Sequence, residues 1–169
     1  FPEAVEEGGC HFSADFIRDR LKRTAYLTKK LRINLIDENG VETSYYSENG
    51  ISDLVTDQSK EISDKISKDD DDYQPNFINI CLNYINKFYG NNILSFANNI
   101  FTELGGTHIK GVDMALKRVL TEYAAKKVSL KHNFSSEDIL EGINMVISFT
   151  TQEPKFSDQT KKKLSTVTE

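Results

Sequence analysis

The sequence of 169 residues contains no tryptophan, and its two cysteines, Cys10 and Cys81, lie far apart with no metal-ligand spacing. That excludes a metal site built on them and leaves two reduced thiols in a reducing compartment as the expectation. No stretch approaches the length of a membrane span, and the N-terminal FPEAVEEGG has no apolar signal-peptide core. No initiator methionine precedes Phe1-Pro2, so the chain is expected to be a piece of something longer. His11, His108 and His132 sit in unrelated contexts, with no HxxxH or CxxC pattern among them. The four aspartates of DDDD at 69–72 lack the alternating spacing, central glycine and terminal glutamate of an EF-hand loop. GGTH at 105–108 has neither the lysine of a P-loop nor the three spaced glycines of a dinucleotide turn. No internal repeat is present.

Apolar residues make up 38% of the chain, with ten Phe and seven Tyr supplying bulk, enough for the core of one domain of ordinary size. A net charge of −5 counts against a free-standing nucleic-acid binder, yet the charge is uneven. Residues 13–32 hold seven Lys or Arg against two Asp, and residues 105–132 hold six against two acids. Residues 37–72 hold three Lys against twelve acids. Two basic helices beside an acidic excursion could steer a polyanion over one face, or simply be solvated helix faces.

SADFIRDRLKRTAYLTKK reads as a helix capped by Ser13, with Phe16, Ile17, Leu21, Ala25 and Leu27 as its apolar stripe. RINLID, with Ile33 and Leu35 on one face, the turn residues ENG at 38–40 and VETSYY predict a β-hairpin. GISDLV predicts a short helix, and residues 57–76 a solvated, mobile acidic insertion. FINICLNYI alternates, with Ile78, Ile80, Leu82 and Tyr84 opposite Asn79, Cys81 and Asn83, and is the most legible strand. NILSFANNIF is a second strand in which Asn98-Asn99 needs hydrogen-bond partners. Gly105-Gly106 reads as a strand-to-helix turn, Thr107 as its candidate cap and His108 as a structural residue of the first helical turn. A long helix over 107–126 carries Val112, Ala115, Leu116, Val119, Leu120 and Tyr123, followed by the short capped helix SSEDILEG. GINMVISFT suits a central strand buried on both faces. EPKFSDQTKKKL at 153–164 has the shape of a C-terminal helix started at Ser157, where free N–H groups and a lysine could meet a phosphate. By composition alone the same stretch is a solvated lysine-rich end. The order implies an α+β fold, a sheet with helices packed on one face.

LSFANNIFTELGGTHIKGVDMALKRVLTEYA resembles the SFxNNIxTxEGGTHxxGFxxALxRxxNxYA stretch of the B subunits of bacterial type IIA DNA topoisomerases, gyrase and topoisomerase IV. DFIRDRLKRTAYLTKKLRINLIDE is similar to that family's LxxRLRExAFLNxGLxIxLxDE, and ENGISDLV to xGGIxxFV with Asn49 in place of Gly. EDILEGINMVISFTTQEPKFSDQTKKKL resembles EDVREGLxAVISVKxxxPxFEGQTKxKL. The likeness is collinear over nearly the whole chain and weakens in the acidic insertion. Val112 stands for an aromatic residue, and Glu122 for a common Asn.

The resemblance implies a single transducer domain over residues 1–169, with a ribosomal protein S5 domain 2-like α+β fold and a mixed sheet. The resemblance implies a GHKL-type ATP-binding domain upstream and a Toprim domain downstream; the sequence itself has neither ATP-lid nor Toprim motifs. The implied function is to couple ATP binding and hydrolysis to DNA strand passage. Lys161 is implied as the catalytic residue, Gln159 and Lys161 as the contacts to the ATP γ-phosphate, and Arg118 as the DNA-cavity residue; no metal ligand is implied. ATP and Mg2+ are the expected cofactors of the full-length enzyme, with none bound to this piece, which should be inactive alone. The implied partners are DNA, the topoisomerase A subunit and a second copy of the B subunit on ATP binding, in the cytoplasm with the nucleoid, or in an organelle of a eukaryotic source. Three rivals are a mismatch-repair or chaperone middle domain, a GHMP-type kinase, which would need a glycine-serine phosphate loop, and a nucleic-acid-binding module of S5-like fold.

Overall fold

The computed structural model describes residues 5–6, 9–10, 13–55, 60–66, 76–87, 89–127 and 134–166. They fall into two compact units, Phe1–Leu54 and Val55–Glu169. The first holds the short antiparallel pair β1 (Val5–Glu6) and β2 (Gly9–Cys10), helix α1 (Ala14–Leu27), the hairpin β3 (Arg32–Ile36) and β4 (Glu42–Tyr46), and a 3₁₀ turn over Gly50–Leu54. Ser13 caps α1 by accepting the Phe16 N–H, and Ala25 is its buried position. Phe16, expected on the apolar stripe, is 68% exposed. The hairpin pairs Arg32 with Tyr46 through Ile36 with Glu42. Its turn is set by Asp37, whose Oδ1 accepts the N–H groups of Asn39 and Val41 at 2.9 Å each.

The second unit is a five-stranded mixed sheet in the order β5 (Lys60–Ile66), β6 (Asn76–Tyr84), β9 (Ile143–Thr150), β7 (Asn92–Ala97), β8 (Ile100–Phe101). Only β7 and β9 are parallel, and the crossover between them carries α2 (Thr107–Lys127) and α3 (Ser136–Leu140). The apolar run GINMVISFT is the central strand as expected, buried at every position from Ile143 to Phe149. On one face, Ile143, Met145 and Ile147 pack against Val112 of α2, with Ile78 and Ile80 of β6 beside them. Ser135 closes a capping box with Asp138 at the start of α3.

Four local expectations are corrected. Lys60–Ile66, read as part of the polar insertion, pairs with β6 over its whole length, because hydrogen bonding to a neighbouring strand needs no apolar alternation. Asn76, the last residue of that reading, begins β6, and residues 57–59 and 67–75 lie outside the described residues, as do His11 and His132. NILSFANNIF is two strands rather than one: Asn98 (φ 47°) and Asn99 (φ 63°) form a two-residue turn between β7 and β8. Asparagine tolerates left-handed backbone better than most residues, and Asn98 finds its partners at the end of β9. Its side chain donates to Thr151 O at 2.7 Å and accepts the Thr151 N–H at 2.9 Å. On α2, Val112 and Leu116 of the expected stripe face the core, but Ala115 is exposed and Val119 and Tyr123 are 59% and 58% exposed; the other buried positions are His108 and Ala124.

The fourth correction concerns the C-terminal helix, which is absent: residues 157–166 form an extended loop. Apart from Lys161, whose N–H turns back to Asp158 O, the N–H groups with backbone partners reach carbonyls six or more residues away. Ser157 N–H donates to Lys163 O at 3.0 Å and Leu164 N–H to Gly105 O at 2.9 Å. The Asp158 carboxylate accepts the Thr160 N–H at 2.8 Å, making a local turn in place of a helix cap.

Candidate functional site

The loop that carries Gln159, Thr160 and Lys161 is built from two sides. Leu164, 1% exposed, is its anchor and packs with Ala97 of β7 and Phe149 of β9. Leu164 bridges Gly106 in parallel and Phe156 in antiparallel sense. At the tip, Gln159 and Lys161 are exposed, and Lys161 has left-handed backbone with φ 58°. Its N–H donates to Asp158 O at 3.2 Å. The Thr160 hydroxyl, bonded to Asp158, holds that carboxyl below the usual carboxylate range. Among the described residues no carboxylate pairs with the Lys161 ammonium, which stands 5.9 Å from the centre of the Phe156 ring. An exposed ammonium with no carboxylate partner among the described residues is open to contact with an anionic phosphate.

Lys162, next in sequence, has a different fate. Its Nζ lies 2.8 Å from Glu103 Oε2, and hydrogen bonding to that carboxylate raises the ammonium pKa. Composition alone gives Lys162 and Lys163 no task. The Glu103–Lys162 pair spans the chain from the end of β8 to the loop, so no local pattern could reveal it.

Arg118 sits on the exposed face of α2 with its side chain 82% exposed, and Glu122 approaches it at 3.7 Å. Glu122 also meets Lys126 at 3.7 Å. Such exposed pairs contribute little to stability. Arg118 therefore stays open to solvent, and it is not brought into contact with the loop.

His108 of GGTH is buried, 7% exposed, stacked on Phe149 with its Nε2 3.3 Å from Thr102 Oγ1. The Thr102 hydroxyl also lies 2.9 Å from Ser95 O, and His108 Nδ1 is buried with no hydrogen-bond partner among the described residues. Burial pushes its pKa from 6.5 down to about 4. Between those two values the unfolded chain binds the proton and the folded chain does not, so stability rises with pH through that window. We expect unfolding free energy to fall by about 2 kcal/mol between about pH 7 and pH 5 from this residue alone. Chemical denaturation of His108→Gln should show that increment missing; an unchanged pH slope would exclude His108 as its source.

Among the described residues no three His, Cys, Asp or Glu side chains converge to hold a metal ion, and no helix is long and apolar enough to cross a membrane.

The fold matches part of the ATPase regions of type II topoisomerases. The 43K ATPase domain of Thermus thermophilus gyrase B superposes with a TM-score of 0.72 at 25% identity, over 94% of this chain and 44% of that one. The topoisomerase IV ATP-binding domain of Francisella tularensis gives 0.75 at 22% identity, over 94% and 44%. The chain belongs to the DNA gyrase B family, whose model matches residues 50–168. It is 38% identical to the DNA gyrase B protein of Clostridium acetobutylicum over 96% of this chain and 26% of that protein. It is 35% identical to the B protein of DNA topoisomerase 4 from Bacillus subtilis over 92% of this chain and 25% of that protein. The chain thus spans about a quarter of the length of these curated relatives.

Proposed function

We propose that this chain is the transducer domain of the B subunit of an ATP-dependent type II DNA topoisomerase, with a ribosomal protein S5 domain 2-like fold. It couples nucleotide state in an adjoining GHKL domain to strand passage in a Toprim-bearing half. The observation that carries this reading is Lys161, unpaired among the described residues, held in left-handed backbone at the tip of a loop anchored by Leu164. The γ-phosphate of ATP is its target, with Gln159 as the second contact. An ammonium stabilises the charge that develops as the terminal phosphoryl departs. Because that contact exists with ATP and is lost with the hydrolysed product, it biases the orientation of the two domains. In this reading Mg2+ accompanies the nucleotide in the adjoining domain.

DNA, the topoisomerase A subunit and a second copy of the B subunit are the partners of this reading, in the cytoplasm with the nucleoid. Arg118 contributes phosphate-directed charge to a DNA-sized cavity between two such copies, without reading sequence. The test of the central claim is ATP hydrolysis by the full-length Lys161→Ala enzyme. For the cavity role, Arg118→Gln should lower the stimulation of hydrolysis by DNA about 3-fold and flatten its salt dependence. Full stimulation in that variant would remove Arg118 from the coupling.

A further inference from the structure

We propose that Glu103 and Lys162 are positioning residues for Lys161, a proposal that rests on the phosphate-contacting role of Lys161. Residues 162–164 run beside residues 104–107 as a short parallel track. Leu104 N–H donates to Lys162 O at 2.9 Å, Leu164 N–H to Gly105 O at 2.9 Å, and Thr107 N–H to Leu164 O at 3.2 Å. The Thr107 hydroxyl donates further along, to Thr166 O. The Glu103–Lys162 ion pair closes the end of this track nearest the loop tip.

Lys161 is the residue just beyond the last pin, and its φ of 58° is a conformation that costs a residue with a Cβ free energy and that neighbouring contacts help to hold. Held on one side by Lys162 and on the other by the Asp158 turn, the residue cannot relax to negative φ without breaking one of them. Two adjacent lysines thereby divide the work: Lys162 is bound to Glu103, and Lys161 is left free for an incoming phosphate. The track ends at Thr107, the first residue of α2, so the same contacts tie the loop to the start of a helix of 21 residues.

The experiment compares Glu103→Lys, Lys162→Glu and the double exchange in the full-length enzyme, beside Lys161→Ala. Both side chains are half exposed, so the exchanges leave the core intact. Each single exchange should lower kcat for ATP hydrolysis about 5-fold with KM little changed, and the double exchange should restore it. Unchanged single variants, or a double variant that does not recover, overturn the proposal if Lys161→Ala slows hydrolysis. If Lys161→Ala leaves hydrolysis unchanged, the phosphate role itself fails, and the pin is judged by hydrogen exchange in the present chain. Faster exchange of the Leu104 and Leu164 amides in Glu103→Lys, reversed in the double exchange, then supports the pin. Equal exchange rates overturn it.

Discussion

Replacing Lys161 by Ala in the full-length enzyme is expected to slow ATP hydrolysis by about 100-fold, because a preorganised charge aimed at a developing anion contributes a factor of this size. Three features of the loop support so large an effect. The ammonium has no carboxylate partner among the described residues, so none of them neutralises its charge. Its backbone is held in left-handed geometry, which lowers the reorganisation needed when a phosphate arrives. Leu164, three residues on, is rooted in the core beside Phe149 and Ala97, so the loop has a rigid base. Strand passage should fall with hydrolysis, whereas DNA cleavage by the other half should persist. Hydrolysis at the unmodified rate in Lys161→Ala would sink the assignment.

Gly106→Ala is expected to destabilise the chain by about 4 kcal/mol, lowering the thermal midpoint by about 10 °C. A Cβ at Gly106 would lie 2.3 Å from Leu164 O and 2.7 Å from both Leu164 N and Leu164 Cβ. Two of these neighbours are backbone atoms already bonded to Gly105 and Thr107, so neither can move without breaking the track. The φ of 149° adds backbone strain for any residue bearing a Cβ. Gly111→Ala is the control: it lies within α2 with nothing within 4 Å of the added carbon. That change should raise stability by about 0.5–1 kcal/mol, since alanine is the better helix former. Thermal unfolding of both variants gives opposite signs on this account, and a Gly106→Ala midpoint within about 2 °C of the parent would show that the loop yields instead.

Elements whose burial is repeated along the chain were legible before any coordinates. The unbroken apolar run of Ile143–Phe149 announced a strand covered on both faces, and the alternation around Ile78 and Ile80 announced its neighbour. Ser13 and Ser135 marked helix starts because an N-cap is a local bond, formed within three residues of the cap. Lys60–Ile66 was illegible for the opposite reason: its pairing with β6 is a backbone matter, and its polar sequence hides it. The outward turn of Val119 and Tyr123 shows that an apolar stripe on a helix is wider than the face its sheet covers.

The candidate site divides along the same line. The sequence by itself determined which residues are present at the loop, and the family resemblance singled out Gln159, Lys161 and Arg118. It could not show that residues 157–164 avoid a helix, because helix signals count neighbours three and four positions apart. The competing bonds run from Leu164 to Gly105 and from Lys162 to Glu103, across almost sixty residues of chain. Only the tertiary structure, by bringing the turn before α2 against the C-terminal loop, decided that one lysine of the run is tied down and the one before it is not.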